Sequence, residues 1–447
     1  MDLTFIQDVV RGTHIGKTTK FLQKSDLWDR TQLDTYRLRK LQELIAYSYE
    51  NVRYYKNLFN RLGLNPKDFR TLDDIRKIPV LTKEEVRSHS SEFISEAINL
   101  KDRKIKIAKT GGTTGMPLLF YKNTATRDFT WGSYNRWYGW MGISPNDKVA
   151  VLWGARTVMT EKKNIKDRFI SSFGNKLTIN SFNLNDNTLP DVAKRIIDFQ
   201  PVILRGYLSA VFQLAIYFKE HHLNIPSLKA ISTTTETLLP IYRNYIEETF
   251  GVSMFDQYGC GECNGIAYEC EAHQGLHITE EHCIIEILDD NGIPVFDKLG
   301  RVVLTDLDNN AFPFIRYENG DSAIMSSKRC SCGRHSALIK ELSGRTKDTI
   351  ILKDGSEVHG VLFTDMFHEL GYDNFEYFTR FQIYQQKRGD FECRLETTGK
   401  EIPSQKFDKI MAALHKFGNH VTIKLLPKLE NDASGKFRYI ISDLKEQ

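Results

Sequence analysis

Between residues 149 and 259, short runs rich in β-branched and aromatic residues alternate with helical patterns, which confines this chain to an α/β layer architecture with much of its sheet parallel. The runs are VAVLW (149–153), VILRG (202–206), LKAIST (228–233) and SMFDQYG (253–259), with helical stretches at Ser209–Glu220 and Tyr242–Phe250 between them. Upstream, Leu38, Leu41, Leu44 and Ile45 recur at helical spacing, and Thr82 with Glu85 three residues on reads as the cap of a polar helix. After about residue 344 the texture changes. An Asp354-Gly355 turn is followed by an alternating pair, FEYFTRFQIY and FECRLET, on either side of Gly389-Asp390. A helix carrying Phe407, Ile410, Met411, Leu414 and Phe417 on one stripe leads into a strand at VTIKLL (421–426).

A single core rarely grows past roughly 250–300 residues, so 447 residues call for more than one domain. The expected division is a large N-terminal domain of layered mixed sheets and helices, 1–345, and a small mobile α+β domain, 346–447. A charged fraction of 26% nets only +4, which gives nucleic-acid binding no support. No apolar stretch approaches the roughly 18–20 residues that span a bilayer, and the opening residues lack a signal-peptide pattern, so a cytoplasmic protein is expected. Six of the seven cysteines crowd between Cys260 and Cys332, which suits thiols or a metal better than a disulfide framework.

Thr110, Gly111, Gly112, Thr113, Thr114 and Gly115 put three glycines and three threonines in six residues. Glycines let backbone N–H groups turn toward an anion, and threonine hydroxyls add donors, so the segment suits a pyrophosphate; alone it equally suits a flexible turn. It is not GxxxxGK[ST]. Further on stand Gln257-Tyr258-Gly259-Cys260-Gly261-Glu262, Arg316-Tyr317-Glu318-Asn319-Gly320-Asp321 and Ser343-Gly344-Arg345-Thr346-Lys347-Asp348. The last segment is Ser434-Gly435-Lys436-Phe437-Arg438, preceded by Pro427-Lys428.

In this order the five segments resemble the signatures of the adenylate-forming superfamily: the phosphate loop, YGxTE, YRTGD, the GRxxD hinge and the terminal catalytic lysine. The opening third, YECEAHQGLH and RCSCGR are similar to the branch of phenylacetate–CoA ligases and CapK-type capsular-polysaccharide proteins. The resemblance implies an ATP- and magnesium-dependent ligase that makes an acyl-adenylate and passes the acyl group to coenzyme A or an amine.

It also implies roles for single residues. Lys436 would supply charge at the α-phosphate and carboxylate, Glu262 would hold magnesium, and Asp321 would accept both ribose hydroxyls with help from Arg345. Tyr258 would stack on adenine, with Thr234, Thr235 and Glu236 on the other side and Gln257 and Gly259 in the same motif. Lys347 would be the hinge of a rotating C-terminal domain. Leu118 in place of the loop's closing lysine, Gly112, and Cys260-Gly261 before the glutamate depart from the common pattern.

Trp153, Gly154, Arg156, Tyr207 and Thr233–Thr235 are candidate walls for the acyl pocket. Cys330 and Cys332 form a tight CxC turn, and Cys270 with His277 would complete a tetrahedral N/S site for structural zinc, with His273 and Cys263 as competitors. The alternative for these cysteines is a set of reduced, partly buried thiols. The alternative for the whole chain is a non-catalytic nucleotide-binding scaffold, against which the joint presence of Lys436, Glu262, Asp321 and Arg345 speaks.

Overall fold

The computed structural model describes residues 8, 12–109, 118–154, 175–345, 349–360, 362–363, 366–367, 370, 375–418, 420–431 and 437–445. The chain is of the α/β class and divides into two compact units, Met1–Lys148 with Phe255–Leu342, and Val149–Met254 with Ser343–Gln447. Compactness thus groups the C-terminal residues with the 149–254 segment, a different partition from the sequential one at 345/346.

In the first unit, helix Arg30–Asn51 begins at a reciprocal cap, Asp29 accepting from Gln32 N at 2.8 Å and Gln32 from Asp29 N at 3.0 Å. Its Leu41, Leu44 and Ile45 enter a core with Tyr55, Phe59, Phe93, Phe312 and Phe314. Each such side chain taken from water contributes about 1.5–3 kcal/mol. Helix Lys83–Ser88 is capped by Thr82, which accepts from Glu85 N at 3.2 Å.

Seven strands make one sheet, in the order Cys283–Leu288, Leu299–Asp306, Tyr317–Met325, Leu338–Arg345, Leu276–Ile278, Ala267–Glu269 and Gln257–Tyr258. The register sets Cys283 opposite Asp306, His277 opposite Leu338, and Gln257 opposite Tyr268. This sheet brings together segments that lie up to about eighty residues apart in sequence, and every metal-type cluster described below hangs from it.

In the second unit, five strands are ordered Lys176–Ile179, Val149–Leu152, Ile203–Tyr207, Ala230–Thr234 and Ser253–Phe255. The pairs 149–152 with 176–179, 149–152 with 203–206, and 203–207 with 230–234 are parallel. Strands 203–207 and 230–234 are buried along their whole length, as a sheet covered on both faces requires. Helices Leu208–Glu220 and Pro240–Phe250 supply cover, and their Val211, Phe212, Leu214, Phe218, Tyr242 and Ile246 share a core with Phe375. The C-terminal segment adds a sheet ordered His420–Leu426, Asp390–Thr397, Phe378–Lys387 and Ile440–Ser442, with helix Ser404–Leu414. No helix among the described residues is long and apolar enough to cross a membrane.

Candidate active site and metal centre

In open parallel sheets, ligands bind outside the carboxyl ends of the strands. At those ends in the second unit stand Trp153, Gly154, Tyr207, Thr234, Thr235 and Glu236. The Trp153 and Tyr207 rings lie 4.7 Å apart, and the Tyr207 hydroxyl donates to Gly154 O at 2.9 Å. A Cβ on Gly154 would come within 2.3 Å of the Phe182 ring, so the position takes no side chain without rearrangement.

Thr235 has φ +78°, a region that a β-branched residue seldom enters and that costs of order 1–3 kcal/mol. Its Oγ1 is buried with no hydrogen-bond partner among the described residues, as are Ser232 Oγ and Thr233 Oγ1. Glu236 behaves differently: it accepts from Ser209 N and Ser209 Oγ, both at 2.8 Å, and so ties the strand end to the first turn of helix Leu208–Glu220.

The first unit holds the carboxylates. Glu262 is 4% exposed and its Oε1 accepts from the Tyr317 hydroxyl at 2.8 Å. Asp321 Oδ2 accepts from Tyr258 OH at 2.7 Å and from Asn319 Nδ2 at 2.8 Å, while Asn319 Nδ2 also donates to the Tyr258 oxygen at 2.6 Å. Burial and the facing carboxylates push both phenols upward, Tyr258 beside Asp321 and Tyr317 beside Glu262, so both stay protonated donors. Gln257 accepts from Tyr134 OH at 2.8 Å, and a Cβ on Gly259 would meet Asn264 Oδ1 at 2.7 Å, so the Asn264 side chain would have to shift.

Sequence reasoning assigned no role to Tyr317 or Asn319, although both sit inside the Arg316–Asp321 motif. Arg316 in that motif serves the fold: its guanidinium grips Glu286 at 2.9 and 3.0 Å. Thr110–Gly115, Arg156, Lys347, Lys436 and the Arg345 side chain lie outside the described residues.

The cysteine cluster follows from the sheet register. Cys270 closes strand Ala267–Glu269, His277 sits in the neighbouring strand, and Cys330 and Cys332 lie in the turn that leads to Leu338, opposite His277. One donor atom from each of Cys270, His277, Cys330 and Cys332 lies within 4.8 Å of the others. Cys270 Sγ is 3.6 Å from Cys330 Sγ, and Cys332 Sγ is 3.2 Å from His277 Nε2. Tetrahedral zinc with ordinary bond lengths sets such pairs about 3.8 Å (S, S) and about 3.5 Å (S, N) apart, so the set could close around that ion.

Burial, with Arg334 and Arg136 nearby, lowers the His277 pKa to about 4, which leaves the imidazole neutral as a ligand must be. Its Nδ1 faces Ser336 Oγ at 3.0 Å. Burial opposes ionisation of Cys332, but hydrogen bonds from Arg334 outweigh it and hold this thiol below its ordinary value. His273, one competitor, lies with Nδ1 3.2 Å from Glu269 Oε1, and Cys263 belongs to another group of side chains.

No family model matches the chain. Curated proteins do. The phenylacetate–coenzyme A ligase of Thermus thermophilus is 28% identical over 346 residues, covering 72% of this chain and 73% of the relative. The Escherichia coli enzyme of the same name is 27% identical over 72% and 73%. Protein CapK of Staphylococcus aureus is 24% identical over 69% and 67%. Among solved structures, 2-hydroxyisobutyryl–CoA ligase with its acyl-AMP superposes with TM-score 0.75 at 18% identity, over 94% of this chain and 91% of that one. An anthranilate–CoA ligase with anthranoyl-AMP gives 0.56 at 14% over 83% and 75%, and at these identities both likenesses speak for the fold. Along most of its length this chain is similar to the phenylacetate–CoA ligase-like branch of the adenylate-forming ligases, and it shares the fold of the solved acyl–CoA ligases.

Proposed function

We propose that this protein is an ATP-dependent, AMP-forming ligase that activates a carboxylate as an acyl-adenylate and passes the acyl group to coenzyme A or an amine. The observation that carries the reading is the pair of braced carboxylates: Glu262 held by Tyr317, and Asp321 held by Tyr258 and Asn319. Two signature acids are thus buried or half-buried, each kept as an acceptor by a protonated phenol. The names of the relatives and the acyl-AMP bound by the solved neighbours support it.

Attack of a carboxylate on a phosphate sets anion against anion, so the protein must supply positive charge and donors where charge builds. Lys436 supplies the charge, and Thr110, Gly111, Gly112, Thr113, Thr114 and Gly115 supply the donors. Glu262 is the carboxylate for magnesium, an ion that keeps several waters and needs only one or two such ligands. Asp321 accepts the two ribose hydroxyls with Arg345, and Tyr258, Gln257, Gly259, Thr235 and Glu236 complete the nucleotide-binding set. Trp153, Gly154, Tyr207 and Thr234 line the acyl pocket, and Lys347 is the pivot on which residues 346–447 turn between half-reactions. Cys270, His277, Cys330 and Cys332 hold a structural zinc, since acyl activation needs no metal hydroxide.

A second reading of the pathway, which rests on the family resemblance, has an amine acceptor in surface-polysaccharide assembly, against a catabolic acyl–CoA synthetase; Protein CapK is among the similar proteins. ATP–pyrophosphate exchange across a panel of carboxylic acids that includes phenylacetate tests the activity: acid-dependent AMP and pyrophosphate are expected. ADP and phosphate as stoichiometric products would overturn it, and nucleotide binding with no exchange on any acid would favour a scaffold.

A further inference from the structure

We propose that Cys263, His282 and Asp306 form a second metal centre, one that takes a divalent transition ion of zinc's class and steadies the turn carrying Glu262. Cys263 lies in the loop between strands Gln257–Tyr258 and Ala267–Glu269, His282 directly precedes strand Cys283–Leu288, and Asp306 ends the strand paired with it, opposite Cys283. One donor atom of each lies within 4.8 Å of the other two. Cys263 and Asp306 are 0% exposed and His282 is 1% exposed.

The spacing of Cys263 and His282 fits ligation. Cys263 Sγ stands 3.7 Å from His282 Nε2, against about 3.5 Å for a thiolate and an imidazole on one tetrahedral zinc. His282 Nδ1 is 2.7 Å from Asp308 Oδ2, the outer carboxylate that a metal-bound histidine commonly uses to fix its tautomer, and Lys40 Nζ holds Asp308 Oδ1 at 2.6 Å. Phe129 stacks on the His282 ring at 5.3 Å with planes 8° apart, which fixes its orientation.

Asp306 supplies the second, independent observation. Its Oδ1 accepts from Asp308 N at 2.9 Å and Asn309 N at 3.2 Å, but its Oδ2 is buried with no hydrogen-bond partner among the described residues. A buried carboxylate oxygen left unpaired is costly, and a cation bound by Cys263 and His282 removes that cost. A mixed sulfur, nitrogen and oxygen set selects zinc or cobalt over magnesium or calcium.

The consequence reaches the neighbouring residue. Cys263 O accepts from Cys260 N at 2.8 Å and Cys263 N lies 3.4 Å from Cys260 Sγ, closing the turn on which Glu262 stands. An ion on Cys263 would pin that turn to the ends of two sheet strands.

The test is metal content by plasma mass spectrometry, on untagged full-length protein purified without chelator, with folding checked by circular dichroism. Cys263→Ser should lower the zinc content by one ion per chain, in the wild-type background and again in Cys330→Ser/Cys332→Ser, where it should leave none. Folded Cys263→Ser with unchanged metal content overturns the proposal. If Cys263→Ser does not fold, Asp308→Asn decides in the Cys330→Ser/Cys332→Ser background: cobalt(II) titration should show affinity about 10–100-fold weaker. No cobalt binding in that background, or no loss of affinity on Asp308→Asn, overturns it.

Discussion

In the unit that holds residues 255–342, Tyr317 donates to Glu262, and Tyr258 and Asn319 to Asp321, so these two carboxylates are braced by the protein's own groups. In the unit that holds residues 149–254, Ser232, Thr233 and Thr235 bury hydroxyls with no partner among the described residues, and Thr235 adds a left-handed backbone. The difference teaches how each set is kept ready. Carboxylates must be aimed, and phenols held protonated by burial do that without an added charge. Buried hydroxyls left unpaired cost about 1–3 kcal/mol each, a burden that the fold carries at this strand end.

Substitutions at four positions break or sharpen this comparison. Lys436→Ala belongs to neither set and bounds the scale: adenylation should fall by about 10²–10³, the usual loss for one group aimed at developing charge. Acyl transfer from a supplied acyl-adenylate should survive, and equal loss of both half-reactions would remove the role of Lys347 as pivot.

Glu262→Gln should cut pyrophosphate exchange by about 10–10² while its amide oxygen still accepts from Tyr317. Glu262→Ala should in addition lose about 1–3 kcal/mol of stability in urea melts, because the Tyr317 hydroxyl is orphaned. Equal stability of the two variants would show that the phenol braces nothing.

Tyr258→Phe removes one donor from Asp321, and a loss of about 0.5–1.5 kcal/mol with a severalfold higher KM for ATP is expected. Thr235→Gly should do least to stability. Relief of the positive φ, about 1–3 kcal/mol, is offset by glycine's greater freedom when unfolded, about 0.4–1 kcal/mol, and no internal hydrogen bond is lost. Its melting temperature should hold or rise while exchange falls severalfold; a destabilisation as large as that of Tyr258→Phe would erase the contrast between the two sets.

What the sequence alone determined were features written in neighbouring residues. Alternating β-rich runs and helical stripes specified the parallel sheet, because side-chain period and turn chemistry are local; the hairpin strands Phe378–Lys387 and Asp390–Thr397 were visible for the same reason. The order of the motifs brought out Glu262 and Asp321, and the CxC pair singled out Cys330 and Cys332. Tertiary structure decided what depends on register. His277 rather than His273 stands with the cysteines because strands 276–278 and 338–345 pair at His277 and Leu338. Cys263 meets His282 and Asp306 only because Cys283 lies opposite Asp306, and no spacing along the chain encodes that pairing. The strained Thr235 and the bracing by Tyr317 and Asn319 were likewise illegible, since a positive φ in a β-branched residue and a phenol's choice of partner are imposed by packing against distant segments.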